Sequence, residues 1–234
     1  MKPRILGLIP AKGSSTRLRT KNIRHLGGKT LLEYAVRAMK ESGLPDRIIV
    51  STEDKKVAQV ARHAGAEVPF IRPEQLAKDP AGVSQVALHA LEMLRKQGEI
   101  YDTLIITLPT CPFRSAQDIR DAYALFKKKN ASFLMSVCRF PHTPFGAWEI
   151  SEKNIARPFF SEYAGIQSTR HPKAYRPNGA VHIVDVKAFE KAGTYIGQPL
   201  FAYEMPDERS IDIDTEEDFL YAEFKLKQQK KKSR

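Results

Sequence analysis

Short apolar runs and longer amphipathic segments alternate along the chain. Arg4 to Ile9, Arg47 to Ser51, Thr103 to Leu108 and Phe133 to Val137 are apolar or β-branched and bounded by turn or polar residues, which predicts buried strands. Between them apolar residues recur at helical spacing. Leu31, Leu32, Ala35, Ala38 and Met39 form one stripe, opened by Thr30 with Glu33 three positions on, a capping-box pattern. Val57, Val60, Ala61 and Ala64, closed by Gly65, form a second; Val86, Leu88, Leu91 and Leu94 a third; Ile119, Ala122, Tyr123 and Phe126 a fourth. Strand alternating with helix predicts an α/β fold, a mostly parallel sheet with helices on its faces.

After Arg139 the rhythm breaks. Residues 140–177 hold five prolines and the only tryptophan, Trp148, with no long helical stripe. A structureless connection of that length is uncommon in a compact domain, so a small β-rich excursion that packs on a partner subunit or over a site is expected. Gly179 to Asp185 and Leu200 to Met205 resume as strands, and Thr215 to Lys227 as a closing helix with Thr215 and Asp218 as its capping pair. The expected organisation is one domain over residues 1–224, with residues 225–234 as a basic, disordered tail.

Composition narrows the class. With 234 residues and 42% hydrophobic content the chain can bury one sizeable core. Lys and Arg total 38 against 27 acids, a net charge of +11, which invites a nucleic-acid reading. The last ten residues hold five Lys, one Arg and no acid; without them 32 bases face 27 acids, or +5. Nucleic-acid modules usually show a basic face interleaved with aromatics or a recognition motif, and the remaining runs, such as Lys127 to Lys129, show neither. No run of 18 apolar residues is present, so no membrane insertion is expected. The apolar run Ile5 to Ile9 stops at Pro10, too short for a signal peptide. Cys111 and Cys138 lie 27 apart with no CxxC or Cys/His grouping, which excludes a disulfide framework and a structural zinc site and suggests a reducing, cytoplasmic compartment.

Two segments carry candidate chemistry. The first strand runs into Pro10, Ala11, Lys12, Gly13, Ser14 and Ser15 and on to Arg17, Lys21 and Asn22. Ligands of open α/β sheets bind beyond the carboxyl ends of strands. A Gly/Ser loop there can aim backbone N–H groups at an anion. Lys12, Arg17 and Lys21 add the positive charge that a triphosphate needs. The loop matches neither the P-loop nor the dinucleotide-binding glycine pattern, and a basic Gly/Ser loop is as often a solvated turn. The second segment is Ile211-Asp212-Ile213-Asp214. If extended, it projects both carboxylates from one face, with Cα atoms ~6.5–7 Å apart. That spacing suits one hard cation; the alternative is acids that cap the following helix and favour its dipole.

The loop resembles the signature of the acylneuraminate cytidylyltransferase family (CMP-sialic acid synthetase-like) among the sugar-acid cytidylyltransferases, through Ile9-Pro10-Ala11, a basic residue, Gly13 and Lys21-Asn22. Ser15-Thr16-Arg17-Leu18 is closer to the related 3-deoxy-manno-octulosonate enzyme, and Arg17 takes over the charge of a displaced lysine. The resemblance continues through Gly28-Lys29, residues 51–54, 64–70, 72–74 and 76–79, residues 109–114, Asn178-Gly179-Ala180 and residues 211–219. It implies a Rossmann-like sheet of the nucleotide-diphospho-sugar transferase type with a dimerising arm at residues 140–177, hence a homodimer. It further implies that CTP and a nine-carbon sugar acid (sialic, legionaminic or pseudaminic type) combine with release of pyrophosphate, with Mg2+, or Mn2+, held by Asp212 and Asp214. The roles that follow are catalytic for Arg17, Lys21, Asp212 and Asp214. Pro10, Ala11, Lys12, Gly13, Ser14, Ser15, Asn22, Arg72 and Ala81 bind nucleotide, and Arg114, Arg170, Tyr175 and Asn178 bind the sugar acid.

The chain departs from the family pattern at Gly82-Val83, where hydroxyl residues are usual, and at Leu108, where a sugar-facing glutamine is usual. These departures keep open an altered sugar-acid pocket and a catalytically inactive nucleotide-binding homologue; a 3-deoxy-manno-octulosonate substrate is a further alternative, against which stands Leu108-Pro109-Thr110 in the place of that enzyme's QGDEP-type metal motif. His89, within a helical stripe, reads as structural, and no residue reads as a dedicated general base.

Overall fold

The computed structural model describes residues 3–15, 17–78 and 80–232; Thr16, Asp79 and the last two residues of the basic tail lie outside them. The strands are β1 Ile5–Pro10, β2 His25–Leu26, β3 Lys29–Thr30, β4 Arg47–Ser51, β5 Thr103–Ile106, β6 Phe133–Arg139, β7 Trp148–Ile150, β8 Ala156–Pro158, β9 Tyr175–Asp185 and β10 Leu200–Glu204. The α-helices are α1 Leu31–Ser42, α2 Lys55–Ala64, α3 Val83–Lys96, α4 Ala116–Lys128, α5 Val186–Ala192 and α6 Glu216–Lys232.

Each predicted helix starts where its cap sits. Thr30 and Glu33 close a reciprocal capping box on α1, and Gly43 and Gly65 end α1 and α2 in the left-handed conformation. The central sheet has the order β10-β6-β9-β5-β1-β4. β4, β1 and β5 run parallel, as do β10 and β6. β9 alone opposes both its neighbours. The chain leaves β6 at its carboxyl end, makes the excursion and re-enters from the same end, so no crossover helix intervenes and the returning strand is antiparallel.

Both sheet faces are covered, and strand residues alternate between them. Ile5 and Ile9 join α1, α2 and α4 in one core, whereas Leu6 and Leu8 join α3 and α5 in the other. The excursion contains the β7–β8 hairpin and a knot of rings in which Phe145 meets Phe160 and Tyr163 at 5.3 and 4.8 Å. Its strands are short, three residues each before β9 begins, and as much of it lies in 3-10 turns, so the excursion is less β-rich than expected.

The closing helix extends beyond its predicted end. α6 continues to Lys232, across residues where composition predicts a disordered tail. Phe219, Ala222 and Leu226 pack against Leu18, Leu26 and Leu31, so Leu226 anchors the helix well into the basic segment. Lysines at a helix C-terminus also favour its dipole.

His182 on β9 is buried edge-on against Tyr195, with ring centroids 4.7 Å apart. Burial pushes its pKa down to about 4. It stays neutral in the fold while the unfolded chain takes up a proton near pH 6.5, so stability falls as pH drops from there toward 4. Between pH 7 and pH 5 the loss from this residue should be roughly 2 kcal/mol. Urea unfolding of His182→Phe at both pH values should show that increment removed; an unchanged pH dependence would refute the assignment.

Candidate active site

The carboxyl ends of β4, β1 and β5 meet at one edge of the sheet, and the loop after β1 lies over them. Its start is stitched down by Ala11 N–H donating to the Ser51 carbonyl (3.0 Å) and by Asn22 Nδ2 donating to the Lys12 carbonyl (2.8 Å). Gly13 N–H donates to Glu53 Oε1 at 2.7 Å, and a Cβ at Gly13 would lie 2.5 Å from the Asp54 side chain. Only glycine permits that approach. The Gly13 amide is therefore committed to a carboxylate, a use the anion-binding reading of the loop did not foresee. Ala11 is buried beneath the loop, Ser14 is exposed and Ser15 half-buried.

Pro10, Lys12, Lys21, Asn22, Arg72 and Ala81 line a cleft of about 230 Å³, closed on its far side by Gly82, Val83 and residues 108–110. Arg72 is 3% exposed and donates from Nη2 to Glu53 Oε2 at 2.5 Å, while its Nε has no partner. Glu53 thus joins the loop to the cleft wall with its two oxygens. Local pattern does not mark Glu53 as a site residue; its only signal is an acid two residues past a strand end, facing a basic loop.

Opposite stand the aspartates. Ile211 and Ile213 are buried in the cluster under α6, and Asp212 and Asp214 project the other way, as the two-residue alternation predicts. The segment pairs with no sheet strand; Ile213 N–H bonds the Thr110 carbonyl at 2.8 Å. Asp214 receives Lys21 Nζ at 2.7 Å on one oxygen and Arg17 Nη2 at 2.9 Å on the other. Asp212 is mostly buried and its Oδ1 has no hydrogen-bond partner. Burial raises its pKa and the charge of Asp214 adds to the rise, against the opposing pull of Thr110 and Lys21. The helix-capping alternative falls to another acid. Asp218 accepts the backbone N–H groups of Asp214 (3.0 Å) and Thr215 (2.9 Å), which frees the aspartate pair from that role.

The aspartate segment is held from behind by Arg209, which no sequence pattern marks, and by Asn178 and Arg114, which the family resemblance assigns to the sugar acid. Arg209 clamps the buried Asp118 at the start of α4 through Nε and Nη2, both at 2.9 Å. Asn178 donates to Ser210 Oγ at 2.9 Å and accepts from Ser136 Oγ at 2.6 Å. Arg114 is buried and donates from Nη1 to the carbonyls of Leu108 (3.1 Å) and Ala180 (2.9 Å). Asn178 and Arg114 therefore lie beneath the cleft. Arg170, in the turn Ser168–Arg170, and Tyr175, hydrogen-bonded to Glu204, lie outward on the excursion side. None of these four sugar-acid candidates lines the cleft. His89 packs edge-on against Phe70 at 5.2 Å and burial lowers its pKa, the environment of a structural histidine. Both cysteines are free and buried, and burial pushes the Cys111 thiol up to about 12, which leaves no reactive thiolate there.

The donor set suits one hard cation. Asp212 offers a buried oxygen without a partner, and Asp214 sits two residues away. No group of three or more His, Cys, Asp or Glu side chains able to hold a metal occurs among the described residues, so phosphate oxygens and water would complete the shell.

A family profile described as Cytidylyltransferase matches residues 6–138, more than half of the chain. The chain belongs to the cytidylyltransferase family. The matched stretch runs from β1 to β6 and contains the basic loop, Glu53, Arg72 and the cleft. Relatives extend the likeness over the aspartate pair. A CMP-N,N'-diacetyllegionaminic acid synthase of Legionella pneumophila is 32% identical over 94% of this chain and 95% of its own length. A pseudaminic acid cytidylyltransferase of Campylobacter jejuni is 29% identical over 95% and 96%. An N-acylneuraminate cytidylyltransferase of Escherichia coli is 30% identical over the whole of this chain and 54% of its own. Among solved structures, a CMP:2-keto-3-deoxy-manno-octonic acid synthetase complexed with CTP superposes with a TM-score of 0.71 at 13% identity, covering 97% of this cytidylyltransferase and 99% of that chain. The last likeness concerns the fold.

Proposed function

We propose that this cytidylyltransferase joins a nonulosonic acid, of the sialic, legionaminic or pseudaminic type, to CTP, giving the CMP-sugar and pyrophosphate. The observation that carries the reading is the pairing of Asp214, two residues from Asp212, with Lys21 and Arg17 at the edge of the cleft, within a chain whose near-full-length relatives are named for such acids.

In the reaction the anomeric hydroxyl oxygen of the sugar acid bonds to the α-phosphorus of CTP. The bond between that phosphorus and the oxygen bridging to the β-phosphate breaks, the hydroxyl proton passes to solvent, and pyrophosphate leaves. Such a transfer asks the protein for alignment and for positive charge where oxygen charge accumulates. Lys12, Arg17 and Lys21 supply that charge on the side of the leaving pyrophosphate. Arg72, fixed by Glu53, and Ala81 form the nucleotide wall. Bound between Asp212 and Asp214, Mg2+ or Mn2+ would neutralise phosphate charge and acidify an attacking oxygen. Leu108 puts an apolar side chain at the far side of the cleft, which favours a sugar acid that presents little hydrogen-bonding demand there.

The same reading takes the protein as a cytoplasmic homodimer. Trp148, Ile150 and Phe159 on the excursion are 53, 71 and 62% exposed, an apolar surface of the kind subunits cover, and the two buried free cysteines fit a reducing compartment. No helix among the described residues is long and apolar enough to cross a membrane. The test is incubation with CTP, Mg2+ and a panel of nonulosonic acids and 3-deoxy-manno-octulosonate, with pyrophosphate measured. Release dependent on one nonulosonic acid is expected. Release with the octulosonate alone, or CTP binding without any product, would overturn the reading.

A further inference from the structure

At the edge of the cleft Arg17 and Lys21 face Asp212 and Asp214, with Arg176 acting on Asp212 from further off, and the direct pairing is lopsided. Asp214 holds both cations, one on each oxygen, at 2.9 and 2.7 Å. Asp212 holds neither, and its buried Oδ1 has no partner. Lys21 is the enclosed member, with its side chain 12% exposed, while Arg17 reaches over Asp214 from solvent at 65%. The cations that a triphosphate needs are thus bonded to the carboxylate that a divalent metal needs.

Resting on the reading above, we propose that Asp214 makes the site selective for a metal-complexed triphosphate over the free one, by competing with phosphate oxygens for Lys21 and Arg17. Free triphosphate can take these two cations only by stripping Asp214 and leaving two adjacent carboxylates, Asp212 and Asp214, bare beside a polyanion. Free divalent cation can take Asp214 only by releasing Arg17 and Lys21 unpaired next to a further positive charge. When both arrive, the partners exchange: the cations turn to phosphate oxygens, and Asp214 joins Asp212 on the metal. Every charge then keeps a counter-charge, so each ligand favours the other's entry, and the coupling is reciprocal.

The experiment measures CTP affinity by calorimetry for wild type and Asp214→Asn, with EDTA and with Mg2+, and Mg2+ affinity with and without CTP. Wild type is expected to bind CTP more tightly with Mg2+ by roughly 5- to 150-fold, the usual range of coupling between two ligands. Asp214→Asn, of the same shape but uncharged, should bind metal-free CTP several-fold more tightly than wild type, and its Mg2+ enhancement should shrink toward about twofold. A mutation that merely loosened the loop would weaken metal-free binding, so the direction of change separates the two. Should the Asn variant fold poorly, Asp214→Ser makes the same measurement, because Asp214 is part-exposed and Asp218 carries the helix cap. Metal-free affinity equal to or weaker than wild type, with the enhancement intact, would overturn the proposal while leaving the cytidylyltransferase reading standing. Failure of wild type to bind CTP even with Mg2+ would overturn both.

Discussion

Asp212→Asn is expected to abolish most turnover and, in the absence of nucleotide, to raise the melting temperature. On the proposed function, the activity loss follows from removing one of the two carboxylates that would hold a divalent cation; such a cation would supply several kcal/mol of transition-state stabilisation, so kcat should fall by roughly 10³-fold. The gain in stability follows from the environment of the same side chain. Burial and the neighbouring Asp214 charge raise its pKa, and its Oδ1 has no partner. A raised carboxyl pKa stabilises the fold only where the group is protonated: the benefit is complete below the ordinary carboxylate value and disappears as pH rises through the raised one. At neutral pH the wild-type fold therefore carries a buried, underpaired charge, which Asn removes. The variant should melt a few degrees higher at pH 7.5, and the difference should close below about pH 4. Differential scanning calorimetry across that range is the check. A variant that melts lower at every pH would show that Asp212 is there for the fold, not for a cation.

Arg209→Met is expected to be strongly destabilising for a substitution at a part-exposed residue. Arg209 is 40% exposed, yet its partner Asp118 is 1% exposed and receives Nε and Nη2 together with the Ser115 hydroxyl. Burial pushes the Asp118 pKa up, but the bonds from Arg209 and Ser115 outweigh it and hold the carboxyl below its usual range. Removing Arg209 leaves that charge buried and short of a counter-ion, a change that costs about 3–5 kcal/mol. Asp118→Asn should cost less, because the freed guanidinium can turn to water. The double variant should recover part of the loss, a coupling read from a double-mutant cycle in urea. Arg209 begins the run that carries Ser210, Asp212 and Asp214, so kcat should fall in the single variant and partly return in the double one. Additive losses, or wild-type stability in Arg209→Met, would show that the clamp contributes nothing.

These two sites also show what the sequence makes legible and what it hides. The central-sheet strands and the helices up to Phe133 are readable, because burial on both sheet faces writes continuous apolar runs, and caps such as Thr30/Glu33 and the closing Gly65 mark helix ends locally; the two-residue β2 and β3 are too short to leave such a pattern. The basic loop and the alternation of Asp212 and Asp214 were readable for the same reason. Glu53 was not, since its significance lies in reaching Gly13 and Arg72, 40 and 19 residues away. Asp118 meets Arg209 across 91 residues, and neither looks unusual alone. The direction of β9 depends on where the excursion returns the chain, which residue periodicity does not encode. The end of α6 was misplaced because composition describes Lys225 and its neighbours as a solvated tail, whereas Leu226 packs on the core. Arg114 and Asn178 carry the right chemistry for a ligand and lie behind the cleft lining: Arg114 spends Nη1 on the carbonyls of Leu108 and Ala180 while its Nε and Nη2 have no partner, and the Asn178 amide is held by Ser136 and Ser210.

On the proposed function, the anomeric oxygen of a nonulosonic acid attacks the α-phosphorus of CTP at this cleft. The most direct test of that step is a turnover with sugar acid labelled with oxygen-18 at the anomeric hydroxyl, read by mass spectrometry of both products. The predicted result is a CMP-sugar that carries the label in its bridging oxygen, formed in equal amount with unlabelled pyrophosphate. Label in free CMP or pyrophosphate, or pyrophosphate released at the same rate without the sugar acid, would contradict it.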